Sequence, residues 1–159
     1  MPLEKGTKAP NFTLKTKTAE GLKELKLSDH FGKKATVLLF FPAAFTSGCT
    51  EEMCHLEDQG LPSNLPNAEV WAISVDSPFA QEAWAIQNKL NVTLLSDYKR
   101  EVSKLYDVLL SDLVGLGPAS ARAAFVIDKE GLIRYSEQTP TPLELPNFKA
   151  IHQILSTCS

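Results

Sequence analysis

Residues 35 to 54 constrain this chain more than any other stretch. Ala35-Thr36-Val37-Leu38-Leu39-Phe40-Phe41 is an apolar run, far too short to span a membrane, and it reads as a buried strand. Pro42 closes it, and the residues from Thr46 to about Gly60 read as a helix that stops at Gly60-Leu61-Pro62. Two of the three cysteines, Cys49 and Cys54, fall in that helix. A cysteine just inside a helix start lies where backbone N–H groups point outward and a thiolate is stabilised. The segment points to redox chemistry at Cys49, and the bland alternative is an inert helix cysteine.

The rest of the chain supplies the layers around that strand. Asn11–Thr16 alternates apolar and polar residues, Ala19-Glu20-Gly21 is a turn, and Leu22–Leu27 is a second short strand, giving an N-terminal β-hairpin. Lys15, Lys17, Lys23 and Lys26, diluted by Glu20 and Glu24, form its solvated surface. Ala68–Val75 is a strand. Ser77 is the N-cap and Pro78 the first residue of a helix running to about Lys89. Thr93–Leu95 is a short strand and Arg100–Tyr106 a helix. Arg122–Ile127 pairs with Leu132–Glu137 across the turn Asp128-Lys129-Glu130-Gly131. Asn147–Thr157 closes the chain as an amphipathic helix carrying Phe148, Ile151, Ile154 and Leu155 at helical spacing. This alternation predicts an α/β protein with a mixed central β-sheet flanked by helices.

The 159 residues suggest one domain over 1–159, and 43% hydrophobic residues build a core without a metal or disulfide staple. A net charge of −3 with no basic block argues against nucleic acid as a partner. No apolar run argues for a membrane, and the opening Met-Pro-Leu-Glu-Lys-Gly-Thr-Lys lacks the apolar region of a signal peptide. The expectation is a soluble protein of a reducing cytoplasm, where cysteines at a strand–helix junction are more often catalytic than structural.

The residues around Cys49 suit a small polar substrate attacked at an oxygen. Thr46 brings a hydroxyl that donates and accepts. Pro42 has no N–H and fixes its φ, so it shields the thiolate side of the loop without competing as a donor. Ser47 and Gly48 allow close backbone approach to a substrate. Cys54 follows five residues later, which in an intact helix is roughly 7.5 Å along the axis and about 140° around it. The Cα atoms then stand beyond the roughly 7 Å that a disulfide tolerates, so a bridge requires the first turns to unwind. The alternative is that Cys54 is a small apolar residue of the helix. Cys49, Cys54 and His55 lack zinc-site spacing, so no metal is expected and His55 reads as a residue of the helix surface or rim. Cys158 reads as a free thiol on a frayed end, with a lesser role as an alternative resolving thiol. Arg122 enters an apolar strand either at its exposed mouth or paired inside, and its position leaves both open.

Pro42, Thr46 and Cys49 spell Pro-x-x-x-Thr-x-x-Cys, which resembles the signature of peroxiredoxins, and Phe45 and Thr50 fit its common form. Gly6–Leu14, Ser74-Val75-Asp76-Ser77, Leu95-Ser96-Asp97 and Phe125-Val126-Ile127-Asp128 with Gly131 also match, so the resemblance extends over nearly the whole chain. The Cys49/Cys54 spacing is similar to the Q subfamily, the bacterioferritin comigratory proteins, which are of the atypical two-cysteine type. The resemblance implies a thioredoxin-like fold and a thiol-dependent peroxidase acting on hydrogen peroxide and organic hydroperoxides. It makes Cys49 the peroxidatic cysteine, with Thr46 bonding the peroxide, Pro42 shielding the pocket and Arg122 stabilising thiolate and transition state. Glu52 would support the arginine. Cys54 would resolve the sulfenic acid as an intramolecular disulfide, recycled by thioredoxin or a glutaredoxin-like reductant. No cofactor is implied, and the subfamily is often monomeric. A thiol–disulfide oxidoreductase or a peroxide-sensing redox module using the same cysteine pair is the alternative, although the Cys-x-x-Cys of the former is absent. The segment Leu109–Ser120 departs from the family, being longer and more apolar than the usual approach to the arginine.

Overall fold

A computed structural model describes residues 2–59 and 68–158, with the side chains of 55–59 outside the description. The expected helix stop at Gly60-Leu61-Pro62 and the placement of the His55 side chain therefore lie outside the described residues.

The apolar run forms β3 (Ala35–Phe40), and every one of its residues is buried. Its side chains alternate between two cores, as the twofold period of a strand requires. Val37 and Leu39 join Met53, Trp84 and Ile151 on one face, while Leu38 and Phe40 join Trp71, Tyr106 and Phe125 on the other. An N-terminal hairpin of β1 (Thr13–Thr18) and β2 (Gly21–Lys26) precedes it. Then come α1 (Ser47–Gln59), β4 (Ala68–Ser74), α2 (Pro78–Asn88), β5 (Thr93–Ser96) and α3 (Glu101–Leu105). Two-residue strands β6 (Leu109–Leu110) and β7 (Ala119–Ser120) pair with each other. The hairpin β8 (Ala123–Ile127) and β9 (Ile133–Gln138) and the helix α4 (Phe148–Leu155) complete the chain.

Seven strands form one sheet in the order β2-β1-β5-β4-β3-β8-β9. The centre, β5-β4-β3, is parallel, and both flanks are antiparallel, so the sheet is mixed as the alternation of elements predicts. Helix α2 starts where the sequence places it: the Ser77 side chain accepts from the Ala80 N–H at 3.1 Å, with Pro78 in the first turn. In α4, Phe148 and Ile151 are buried and Ile154 and Leu155 pack partly against the same core. The β6/β7 pair went unread because two-residue strands leave no periodicity to detect.

This topology positions the chemistry. Parallel β3 and β4 end on the same edge of the sheet, and antiparallel β8 begins there, since Phe40 pairs with Ala123. The loop into α1 and the residue before β8 therefore meet at one place.

Candidate active site

Cys49 is the third residue of α1 and is fully buried, at 0% exposure. At that position its backbone N–H lies among those a helix cannot satisfy internally. Arg122, one residue before β8, is 2% exposed, and its Nη2 donates to Cys49 Sγ at 3.1 Å. Its Nη1 donates to Glu52 Oε1 in a very close contact, and its Nε donates to the Pro142 carbonyl at 2.9 Å. The three nitrogens of one planar group are thus held by two parts of the chain, α1 and the loop at Pro142. The backbone is fixed as well, because the Arg122 carbonyl accepts from the Thr139 N–H at 3.0 Å. Of the two readings open for Arg122, pairing in the interior is the one realised.

Glu52 follows Cys49 by three residues on α1, so both side chains lie on one face. It is wholly buried, and Oε2 has no hydrogen-bond partner among the described residues. Burial pushes its pKa from 4.5 up to about 7, with Arg122 opposing the rise and Glu137 adding to it. Gly48 leaves room for this cluster. A Cβ there would lie 3.2 Å from Arg122 Nη2, so the missing side chain is the room the guanidinium occupies.

The loop before α1 is pinned from the next strand. Asp76 Oδ2 accepts from the Ala44 N–H and the Ser74 hydroxyl, both at 2.7 Å, and its carbonyl accepts from Ser96 Oγ at 2.6 Å. Pro42 is buried, while Phe45 is 53% exposed with φ +66°, a left-handed conformation uncommon for a large side chain. The exposed Thr46 donates its hydroxyl to the Ala43 carbonyl at 2.8 Å, which leaves its lone pairs free to accept. Inside α1, Thr50 Oγ1 accepts from Trp84 Nε1 at 3.0 Å, tying the first turns to α2.

Arg122 just before β8, the cysteine helix and the pinned loop meet around Cys49, and a family comparison now has a site to match. A model of the AhpC/TSA family matches residues 5–136. The chain belongs to the AhpC/TSA family. It is 38% identical over 143 residues to a chloroplastic 2-cysteine peroxiredoxin of Chattonella marina var. antiqua, covering 86% of this chain and 71% of that one. It is 39% identical over 133 residues to a chloroplastic peroxiredoxin Q of Triticum aestivum, covering 84% of this chain and 58% of that one. It spans about half of two further plant relatives, at 51% and 50% of their lengths. The crystal structure of a peroxiredoxin-like protein from Aquifex aeolicus superposes with a TM-score of 0.87 at 27% identity, over 100% of this chain and 90% of that one. The architecture is the thioredoxin-like fold of peroxiredoxins.

Within the AhpC/TSA frame the structure brings Cys49, Glu52 and Arg122 into contact and sets Pro42 and Thr46 on the adjoining loop. Cys54 is half-buried on the same unbroken helix as Cys49, and all three cysteines are free. Cys158 is not on a frayed end. It is buried at 9% exposure beside α4, and burial raises its thiol pKa. Two contributors escaped the sequence reading, Asp76 and the Pro142 carbonyl. Asp76 carried a faint signal, a carboxylate just past a strand end before a helix N-cap; a carbonyl carries none. Among the described residues no helix is long and apolar enough to cross a membrane, and no group of three His, Cys, Asp or Glu could hold a metal.

Proposed function

We propose that the chain is a thiol-dependent peroxidase acting on hydrogen peroxide and organic hydroperoxides. The observation that carries this reading is the Arg122 guanidinium donating to Cys49 Sγ at 3.1 Å, with both residues buried. The Cys49 thiolate attacks one peroxide oxygen. The S–O bond forms as the O–O bond breaks, and the leaving alkoxide or hydroxide takes a proton to depart as alcohol or water. Sulfur is oxidised by two electrons and becomes the sulfenic acid. Helix N–H groups and Arg122 supply fixed donors to the oxygen on which charge develops, Thr46, whose own proton goes to the Ala43 carbonyl, accepts from the peroxide O–H, and Pro42 keeps water from the sulfur.

Cys54 then attacks the Cys49 sulfur and expels water, forming an intramolecular disulfide. The intact helix separates the two, so α1 unwinds in its first turns, and the Trp84–Thr50 bond is among the contacts released. A dithiol reductant of the thioredoxin or glutaredoxin-like class restores both thiols through a mixed disulfide. The cycle needs no second chain, and we assign it to a monomer in a reducing compartment, the cytoplasm. The relatives named above as chloroplastic make that assignment one to test by fractionation.

Stopped-flow mixing with peroxide tests the scheme. Cys49→Ser abolishes peroxide consumption. Cys54→Ser completes one turnover and then stalls with thioredoxin, and normal cycling of that variant overturns the resolving role. A peptide mass map of peroxide-treated protein identifies the joined cysteines.

A further inference from the structure

We infer that the groove between the N-terminal hairpin and α2 is a binding site for a small aryl anion that carries an O–H or N–H donor, and that its occupancy is relayed to the loop before α1. The site is built from groups away from Cys49 and does not depend on the peroxidase reading.

Strand alternation builds one wall. Lys23 and Leu25 lie two apart on β2 and share a face. Helical spacing builds the other, with Gln81, Ala85, Ile86 and the C-cap Lys89 on one stripe of α2. These residues line a groove of about 770 Å³, within the range of small-molecule sites. Leu25 and Ala85 are half-buried and Ile86 is 72% exposed, so a flat apolar body gains burial between the strand face and the helix face. The charges around it are unequal. Lys17 donates to Glu82 at 3.3 Å, and Lys23 pairs with Glu20 at 2.9 Å. Lys89 has no acidic partner among the described residues. An uncompensated ammonium beside apolar walls complements an anion with an apolar body.

Gln81 supplies the polar element. It is 1% exposed, and its Nε2 donates to Ser74 Oγ and to the Leu95 carbonyl, both at 2.9 Å. A carbonyl only accepts, so the Leu95 contact fixes which end of the amide is nitrogen. The other end, Oε1, has no hydrogen-bond partner among the described residues. A buried acceptor without a donor is unfavourable, and a ligand O–H or N–H set against it removes that penalty. The same amide begins a relay. The Ser74 hydroxyl donates to Asp76 Oδ2, which also accepts from the Ala44 N–H, each at 2.7 Å. Donation to Oε1 polarises the amide and strengthens what Nε2 donates. A ligand in the groove therefore tightens the loop that leads into α1.

Calorimetric titration with a matched pair of probes tests the site: 6-hydroxynaphthalene-2-sulfonate is expected to bind about tenfold more tightly than naphthalene-2-sulfonate, which lacks the donor. Lys89→Glu and Ile86→Ser, both at exposed positions where folding is not at stake, are expected to weaken the hydroxylated probe about tenfold and about threefold. Equal affinity of the two probes, or an affinity unchanged in both variants, overturns the site. The relay is read from alkylation of Cys49 by iodoacetamide, followed by fragment-ion mass spectrometry. Saturating hydroxylated probe is expected to slow this reaction about twofold in the unaltered protein and to leave it unchanged in Ser74→Ala. A rate that the probe does not move in the unaltered protein, or slows equally in Ser74→Ala, overturns the relay.

Discussion

Two acid–base pairs, one half-exposed and one buried, sit at opposite ends of the same central sheet, and they behave differently. At the starts of β3 and β4, His30 Nδ1 meets Thr36 Oγ1 and Nε2 meets Glu69 Oε2, both at 2.7 Å, with the ring against Trp71 at 4.6 Å. At the other end, Arg122 pairs with Glu52 and Cys49. Glu69 keeps 35% of its side chain in solvent and has Lys34 Nζ at 3.8 Å. The hydrogen bond from His30 holds its carboxyl below the ordinary value, against a smaller opposing effect of burial. Glu52 has no solvent, and burial outweighs Arg122, so its pKa rises to about 7. Access to water, not the presence of a cationic partner, sets the direction. A pair kept dry beside a nucleophile is an unfavourable place for a carboxylate, which is expected of a site serving chemistry rather than stability.

Arg122→Met breaks the comparison most severely. It strands Glu52 and strips Cys49 of its donor. We expect the peroxide rate constant to fall by about a hundredfold or more and stability to drop by about 3 kcal/mol, read by stopped flow and urea unfolding.

Glu52→Gln comes next and acts through pH. Glu52 binds its proton more tightly folded than unfolded. The stability this supplies is present below about pH 4.5 and is lost as pH rises through about 7, on the order of 3 kcal/mol in all. Urea midpoints from pH 4.5 to 8 should show that decline in the parent and its loss in Glu52→Gln. An identical pH profile in the two proteins contradicts the burial argument. Gly48→Ala pushes a Cβ toward Arg122 Nη2. Helix propensity favours alanine by about 1 kcal/mol, so we expect stability to change little while the peroxide rate constant falls about tenfold.

Glu69→Gln is the mild control at the far end. Its lowered pKa gives the opposite sign: stability present above about pH 4.5 and lost as pH falls through the folded value. Removing the charge is expected to cost at most about 1 kcal/mol at neutral pH and to leave peroxide kinetics unaltered. A kinetic effect here would mean that the two ends communicate through β3.

Local rules made much of this readable. Helix α2 was legible from Ser77 and Pro78 because a cap and an N-terminal proline act within one turn. The hairpins were legible from alternation and glycine turns. Strand ends shifted by one or two residues, as at Asn11 and Phe41, because pairing partners rather than composition end a strand. Cys158 was misread for a related reason: closeness to the chain end says nothing about the packing of α4.

The sequence by itself determined a buried strand feeding a cysteine-bearing helix, the Pro42–Thr46–Cys49 spacing, and the layered α/β class, since each follows from contacts between near neighbours. Only the tertiary structure decided that Arg122 turns inward, that the absent side chain of Gly48 makes room for it, and that Asp76 and the Pro142 carbonyl hold the centre in place. Those contacts join residues 20 to 73 positions apart. No local propensity encodes such separations; the register of β8 against β3 does.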